Sequence, residues 1–255
     1  MSLPELLHLL ELALLGAGLG FAGGLFGIGG GIIAVPVLTI GFGATQATAQ
    51  GTALVLMVPN LLIAWWRYAR HNPTPLKEVA GIALASTVTT WVTAQLAHWL
   101  DQAMLRSLFA LFLLFLAVRM MGKVKPATEA HTPRDRKYLP LVGIAGGSSM
   151  GLLGVGGGLV ATPLFARFFG LSQRAAQSLG LALVAPSSVI ALGAYAENQQ
   201  VDWHLGIPLA IGGLFTVASG VALAHRLPEK KLRFCFGVMV GLTGLWLLLG
   251  KYLIG

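Results

Sequence analysis

The sequence contains few charged residues. Asp, Glu, Lys and Arg make up only 10% of its 255 residues, whereas 56% are hydrophobic and the mean hydropathy is +0.78. So few polar side chains cannot cover the surface of a water-soluble globule of this size. The composition therefore excludes a soluble domain and predicts a protein that lies in a lipid bilayer.

Cysteines and metal-binding patterns are also scarce. The single cysteine, Cys235, excludes an internal disulfide and a cysteine metal cluster, and the six histidines are scattered along the chain. HExxH, a Walker A lysine and GxSxG do not occur, and the GxGxxG match at 18–23 follows no predicted strand. The sequence therefore predicts that the protein is not an enzyme and has no metal site and no cofactor.

The distribution of charge indicates a topology rather than a nucleic-acid partner. The net charge of +8 comes from Lys and Arg in short loops between apolar runs, as expected when basic loops face the cytoplasm. Glu5 and Glu11 lie in the first apolar run, and no Lys or Arg precedes it, unlike in a cleaved signal peptide. We therefore expect a retained first helix and no nucleic-acid binding.

Apolar runs of about 18–25 residues recur along the chain, and each is long enough to cross a hydrocarbon core about 30 Å thick. The expected fold is an all-α polytopic transmembrane bundle. The predicted helical segments are 3–26, 30–41, 45–69, 77–99, 103–121, 138–154, 158–169, 172–196, 203–225 and 231–250. The polar stretch 123–137 contains prolines and charges, which is typical of a linker.

The two halves are copies of each other. At a constant offset of 127 residues, Gly20–Tyr68 aligns without a gap on Gly147–Tyr195, with Gly, Pro and Gln residues in matching places. The matched pairs include Pro36/Pro163, Pro59/Pro186, Gln46/Gln173 and Gln50/Gln177. Apolar sequence of low complexity gives accidental matches, but coincident Gly, Pro and Gln positions without a gap are hard to reach by chance, so the chain is predicted to be a duplication. The expected domains are a first repeat at 1–122, a cytoplasmic linker at 123–137 and a second repeat at 138–255.

Charges in equivalent loops predict that the copies have opposite orientations. The loop at 67–77 is basic, whereas the equivalent 194–204 carries Glu197 and Asp202 and no Lys or Arg. With basic loops inside, the turns near residues 100 and 200 face outward. This is an inverted-topology repeat with about five helical segments in each half.

A glycine-rich break interrupts the early part of each copy, at GIGGG (27–31) and GVGGG (154–158). Glycine weakens a helix interior by about 1 kcal/mol relative to alanine, so a matched pair of such breaks needs an explanation. The segments after them are short for a full crossing, which predicts broken or re-entrant helices. A restarted helix presents unpaired N–H groups and the positive end of its dipole, which together suit an anion. Related by a pseudo-two-fold axis, the two breaks would meet near the bilayer midplane.

This interpretation gives a set of candidate substrate-binding residues. They comprise the glycines of the two breaks and nearby amides and hydroxyls that could donate hydrogen bonds: Gly27, Gly29, Gly30, Gly31, Gln50, Thr52, Gly154, Gly156, Gly157, Gly158, Thr162 and Gln177. The alternative is that the glycines serve helix packing alone, because Gly-xxx-Gly spacings precede both breaks.

The glycine segments resemble those of the TauE/SafE family of membrane permeases. The resemblance rests on GGLFGIGGGIIAVPVL with AQGTAL (49–54), and on MGLLGVGGGLVATPLF with AQSLGL (176–181). It implies transport of sulfite, sulfoacetate or related organosulfonates across a bacterial inner membrane. The second copy lacks the Gly-Thr pair of the first, so unequal contributions of the copies are expected.

Few other side chains qualify for a functional role. We interpret His8 and Glu11 as solvated at the membrane interface in preference to a proton path, and Arg67, Arg119, His98, Tyr68 and Tyr195 as residues at the membrane edge. No carboxylate is predicted at a central position. The expected function is therefore transport of a small anion by alternating access. An anion channel of the same fold and a non-transporting membrane scaffold remain alternatives, and the sequence leaves a homodimer open.

Overall fold

A computed structural model of the chain describes residues 3–26, 30–71, 75–122, 135–224 and 229–253. These residues form helices and the turns between them, and no strand occurs among them. The helices, in chain order, are α1 Leu3–Phe26, α2 Gly31–Gly41, α3 Gln46–His71, α4 Leu76–Trp99, α5 Gln102–Met121, α6 Leu139–Leu153, α7 Gly157–Phe169, α8 Gln173–Glu197, α9 Trp203–Ala224 and α10 Glu229–Leu253. A short 3-10 helix, Arg136–Tyr138, precedes α6. The ten predicted segments are confirmed, with ends that differ by a few residues at most.

Short polar residues begin several of these helices. The Asp101 carboxylate accepts a hydrogen bond from the Ala103 N–H at 3.1 Å, and Ser172 Oγ accepts one from the Ala175 N–H at 3.3 Å. Asp202 Oδ1 does the same for the Leu205 N–H at 3.1 Å. Each bond satisfies a main-chain donor that the first helical turn leaves unpaired. The turns between apolar runs therefore end one helix and start the next within a few residues.

Six of the described helices are long and apolar enough to cross a membrane, judged by length and composition. Their spans are Pro4–Phe26, Gln46–Trp66, Leu76–Trp99, Gln102–Met121, Ala175–Glu197 and Trp203–Gly220. α2 has 11 residues and α7 has 13. Eleven residues rise about 16 Å, roughly half of a hydrocarbon core about 30 Å thick. The chain is thus an all-α, multi-pass membrane protein in which the helices after the breaks are short, as predicted.

Burial distinguishes α3 and α8 from the other long helices. In the hydrophobic span of α3, 67% of the residues are buried, and in that of α8 61% are buried. In the other four spans the buried share is 22–33%. The other helices expose large apolar side chains, for example Leu84 at 68% and Phe215 at 82%. In a bilayer such side chains contact lipid, so α3 and α8 are the helices whose polar groups are shielded from it.

Close main-chain contacts group the chain into two compact units. The first contains Met1–Met57, Leu100–Lys123 and Gln200–Gly255, and the second contains Val58–Trp99 and Val124–Gln199. Each unit therefore takes residues from both sequence copies. This grouping describes packing, whereas the division into repeats at 1–122 and 138–255 describes sequence, and that division stays a prediction.

A column of glycines packs α1 against α9 in the first unit. Gly16, Gly20 and Gly24 face Leu209, Gly213 and Val217, and a Cβ on any of the three glycines would collide with the main chain of α9. Thr216 Oγ1 donates to the Ala17 carbonyl at 2.6 Å across the same contact. Lipid is as apolar as the helix surfaces, so the hydrophobic effect does not bring these helices together. Close backbone approach and hydrogen bonds such as this one stabilise the contact instead.

The second unit repeats this packing with α6 and α4. Gly143, Gly147 and Gly151 face Ile82, Ser86 and Thr90. Each residue on α4 is the counterpart of the α9 residue 127 positions later (209 − 82, 213 − 86 and 217 − 90). The offset found in the sequence therefore also relates these contacts. In both units the first helix of one copy packs against the fourth helix of the other copy.

Contacts in the second unit relate the loops to the predicted topology. Arg136 Nη1 lies 3.0 Å from Glu78 Oε1, which joins the end of the linker to the start of α4. Asn198 Nδ2 donates to Gln95 Oε1 at 3.1 Å, which joins the far ends of α8 and α4. The predicted topology places the two residues of each pair on the same side of the membrane. Which of the two sides is cytoplasmic stays a prediction. Residues 123–134 of the linker lie outside the described residues.

The end of the linker carries a local ion pair. Lys137 Nζ lies 3.0 Å from Asp135 Oδ2, and this hydrogen-bonded contact holds the pKa of the Asp135 carboxyl below its usual range. The Asp135 side chain also accepts from the Lys137 N–H at 3.2 Å. This turn, outside the membrane-spanning helices, thus keeps a charged acid next to a basic residue.

Replacement of Gly20 by alanine should destabilise the protein, because the new methyl group would meet the main chain of Gly213. We expect a loss of about 1–3 kcal/mol, typical of overpacking. Gly18→Ala in the same helix is the control, since no atom lies within 4 Å of a Cβ there. The measurement is thermal unfolding in detergent, and equal stabilities of the two variants would contradict the packing of α1 on α9.

Cysteine labelling in intact cells tests the topology. In a Cys235→Ser background, a cysteine at residue 130 should react only after the membrane is opened, whereas one at residue 199 should react with an impermeant reagent from outside. Labelling of both from one side would refute the inverted topology.

Candidate substrate site at the glycine breaks

The second break is a tight reversal between two helices. α6 ends at Leu153, and Gly154 and Gly156 both adopt left-handed backbone conformations, with φ of 66° and 86°. α7 begins immediately afterwards at Gly157. Positive φ is easy for glycine and strained for residues with a Cβ, so the sequence specifies a reversal here. The N–H groups of Gly157 and Gly158 precede the first i→i−4 bond of α7, which runs from the Val160 N–H to the Gly156 carbonyl at 3.0 Å.

Neighbouring side chains hold this reversal in place. Val155, between the two left-handed glycines, is fully buried, and its carbonyl accepts a hydrogen bond from Ser149 Oγ at 3.2 Å. Tyr195 is 1% exposed, and its hydroxyl donates to the Gly151 carbonyl at 3.1 Å. The interpretation of Tyr195 as a membrane-edge anchor is therefore wrong. Its hydroxyl satisfies a carbonyl near the end of α6, where helical carbonyls lose their partners.

The first break is described in part. Gly30 precedes α2 with a left-handed φ of 89°, and its carbonyl accepts from the Ala34 N–H at 2.9 Å to begin the helix. Gly30 and Gly31 are both buried. The predicted site residues Gly27 and Gly29 lie outside the described residues. What is described agrees with a helix that restarts after the break.

Packing alone requires two of the candidate glycines. A Cβ on Gly157 would lie 2.9 Å from the Gly146 carbonyl oxygen, and one on Gly30 would lie 3.2 Å from that of Leu19. These contacts are again equivalent at an offset of 127 (146 − 19). Helix packing thus accounts for glycine at both positions, as in the alternative interpretation.

Packing does not explain every glycine of the second break. A Cβ on Gly158 would meet only the Val184 side chain, at the ordinary contact distance of 3.4 Å. Gly158 lies in the first turn of α7, and alanine would be the better helix former there. A small residue at this point leaves the main chain of the first turn accessible.

The predicted side-chain donors are spread over both units. Thr52, in the first unit, is 1% exposed, and its hydroxyl oxygen accepts from the Asp202 N–H at 2.9 Å. Gln50 is fully buried and Gln177 half-buried, and both have partners within the protein. Thr162 Oγ1 lies 2.6 Å from where a Cβ on Gly180 would be, so its side chain lies against α8. The structure therefore places Thr52 beside the start of α9 and Thr162 beside α8.

Two buried amides were missed among the candidate residues. Gln46 is 4% exposed and Asn60 is 6% exposed, and neither the oxygen nor the nitrogen of either amide has a hydrogen-bond partner among the described residues. An unsatisfied buried polar group costs about 1–3 kcal/mol, so two amides with no internal partner call for a ligand or water.

Asn60 differs in its hydrogen bonding from its counterpart in the other copy. Its counterpart is Ser187, whose hydroxyl is fully engaged: it donates to the Leu183 carbonyl at 2.7 Å and lies 2.9 Å from Ser86 Oγ. Both residues follow a matched proline, Pro59 or Pro186. One copy thus satisfies its polar group within the protein, whereas the other does not.

The titratable side chains of α1 are exposed. His8 Nδ1 and Glu11 Oε2 are 3.9 Å apart, and their side chains are 60% and 79% exposed, which agrees with solvation in preference to a buried proton path. His98 is exposed, while the side chains of Arg67 and Tyr68 lie outside what the structure describes. Among the described residues no group of three or more His, Cys, Asp or Glu could hold a metal ion.

Comparison with known proteins identifies the family. A family model described as sulfite exporter TauE/SafE matches residues 12–247. A probable membrane transporter protein of Methanocaldococcus jannaschii is 29% identical over 263 aligned positions, covering 96% of this chain and 97% of that protein. Another, from Xylella fastidiosa, is 28% identical with 87% of each chain covered, and one from Bacillus subtilis is 23% identical, covering 91% of this chain and 94% of the relative. No solved structure matches the chain significantly.

Alanine should have opposite effects at two positions of the second break. Gly156→Ala forces a side chain into a left-handed conformation, so we expect a loss of about 1–2 kcal/mol. Gly158→Ala meets only an ordinary contact and gains up to about 1 kcal/mol of helix propensity. Thermal unfolding of both variants in detergent measures the difference. A stable Gly156→Ala protein would contradict the reversal.

Proposed function

The chain belongs to the sulfite exporter TauE/SafE family of membrane transporters, and from this premise we propose that it carries a small sulfur-containing anion across the plasma membrane. Sulfite, sulfoacetate and related organosulfonates are the substrates proposed. The proposed binding groups are the main-chain N–H groups that begin α2 in the first unit and α7 in the second, and each unit also contains a buried amide without a hydrogen-bond partner among the described residues.

The observation that carries this proposal is the reversal at Gly154–Gly156. Its two left-handed glycines start a short apolar helix inside a hydrophobic segment. N–H groups at a helix start bind anions because they are donors without partners and because the helix dipole adds about half a positive charge. Inside a membrane such groups must face protein or a wet cavity, and an anion can replace the water.

The unpartnered amides support the same conclusion. The first unit contains Gln46 as well as the first break, and the second unit contains Asn60 as well as the second break. A buried amide that finds no partner within the protein is retained at a cost in stability, which is characteristic of binding groups. We therefore propose each amide as a substrate-binding group of its own unit.

The proposed mechanism is alternating access, in which the loaded site opens to one side of the membrane at a time. The test is counterflow in liposomes that contain the purified protein and labelled sulfite. A carrier should take up the label faster when unlabelled sulfite is present on the opposite side, whereas an open channel should not. Failure to move any sulfur oxyanion or organosulfonate would refute the proposal and favour a scaffold.

Replacement of Asn60 by leucine should reduce transport without reducing the stability of the protein. Removal of an unpartnered amide should leave the unfolding temperature unchanged or raised, whereas sulfite uptake should fall at least about tenfold if one hydrogen bond worth about 1.5 kcal/mol is lost. The matched control is Ser187→Ala, which removes a satisfied hydroxyl at the equivalent position. It should lose about 1 kcal/mol of stability and retain uptake. Undiminished uptake by Asn60→Leu would show that the amide does not contact the substrate.

A further inference from the structure

A small apolar crevice lies between α6 and α7 in the second unit. Its volume is about 170 Å³, and residues of both helices line it: Tyr138, Leu141, Val142, Leu164, Phe168 and Phe169. Tyr138 immediately precedes α6, and Phe169 is the last residue of α7. The crevice therefore lies where the pair of helices begins and ends, away from the reversal at Gly154–Gly156 that joins them.

The crevice faces lipid near one membrane surface. α6 has 15 residues and α7 has 13, so they rise only about 22 Å and 20 Å, less than a hydrocarbon core about 30 Å thick. The two helices thus enter and leave on one side, which is the side of the linker and is predicted to be cytoplasmic. Leu141 is 55% exposed and Phe168 is 37% exposed, so the crevice is open to the surrounding bilayer.

Two basic residues flank the opening of the crevice. Lys137 Nζ lies 5.1 Å from the centre of the Tyr138 ring, although part of its charge is offset by Asp135. Arg167, next to Phe168 in the last turn of α7, is exposed and has no ion-pair partner among the described residues. An apolar crevice below exposed basic residues complements a phospholipid, whose acyl chain is apolar and whose phosphate is negative.

The first copy of the repeat lacks this combination. At the offset of 127 residues, Ile40 stands in the place of Arg167 and Gly41 in the place of Phe168. In an inverted repeat these equivalent positions lie at the opposite membrane surface. Side chains that only pack the two short helices together would be expected in both copies. The aromatic wall and the arginine therefore belong to one surface of the membrane.

A larger apolar groove in the first unit provides a contrast. It lies between α2 and α10, has a volume of about 480 Å³ and is lined by uncharged residues, among them Pro36 and Trp246. An acyl chain of any lipid fits such a groove, and nothing in its lining distinguishes one headgroup from another. Only the crevice of the second unit combines an apolar wall with neighbouring basic residues, as judged from these two cavities.

We propose that the crevice between α6 and α7 binds one anionic phospholipid, with an acyl chain between Leu141 and Phe168 and the phosphate at Arg167 and Lys137. Its volume is below the range of about 300–1,000 Å³ typical of pockets for compact small molecules, which suits part of a slender chain. The two walls are the helices that lead to and from the second break. A bound lipid therefore holds these helices at a fixed spacing, whatever the substrate of the protein is.

Native mass spectrometry of the full chain in detergent tests the headgroup preference. Palmitoyl-oleoyl phosphatidylglycerol and the corresponding phosphatidylcholine are titrated separately, and we expect one phosphatidylglycerol to bind at least about fivefold more tightly, as one basic residue near an anionic lipid provides. Arg167→Gln should remove most of this preference. The control is Arg119→Gln, at the end of α5 in the other unit. Equal affinities for the two lipids, or equal losses in both variants, would overturn the proposal.

Photolabelling locates the bound lipid. Phosphatidylglycerol with a photoactivatable group in one acyl chain should label Leu141, Leu164 or Phe168, and an excess of unlabelled phosphatidylglycerol should suppress this labelling more than phosphatidylcholine does. Labelling spread evenly over the exposed helix faces would overturn the site. In a Cys235→Ser background, efficient disulfide cross-linking of two chains through Leu141→Cys, without lipid labelling, would show that a second copy covers the crevice and would also overturn it.

Discussion

Main-chain N–H and C=O groups inside a lipid bilayer must find partners within the protein or in a wet cavity, and the rest of this structure follows from that constraint. Continuous helices satisfy it everywhere except at their ends. Gly154 and Gly156 create two such ends within three residues, inside an apolar segment. The carbonyl side is satisfied by hydroxyls: Ser149 donates to Val155, and Tyr195 donates to Gly151. The N–H side, at the start of α7, is the part of the break that we propose binds the anion.

The duplication supplies the scaffold that holds these ends. In each unit a helix with three glycines packs against the fourth helix of the other copy, and the contacts recur at the offset of 127 residues. Glycine allows the backbones to approach closely where lipid offers no hydrophobic drive. The same contacts extend to the breaks, where Gly157 lies against Gly146 and Gly30 against Leu19. Under the proposed function, the glycine segments therefore serve both helix packing and anion binding.

The sequence was sufficient for the helices and the positions of the breaks, because both depend on local properties: the length of apolar runs and the conformational freedom of glycine. It was insufficient where a residue's role depends on the residues of other helices that pack against it. Tyr195 matched Tyr68 across the repeat and suggested a membrane edge, yet the fold buries it against α6. Asn60 appeared ordinary until its hydrogen bonds could be compared with those of Ser187. The packing of α4 and α9 against the first helix of the other copy is likewise a property of the tertiary structure.

The central claim is that uncharged main-chain donors at the start of α7 bind the anion. NMR of protein labelled with ¹⁵N-glycine, titrated with methanesulfonate, tests it most directly. The account predicts that the amide signals of Gly157 and Gly158 shift with saturation, while that of Gly18, on an exposed part of α1, does not move. Saturable transport of methanesulfonate without any shift at Gly157 and Gly158 would contradict it.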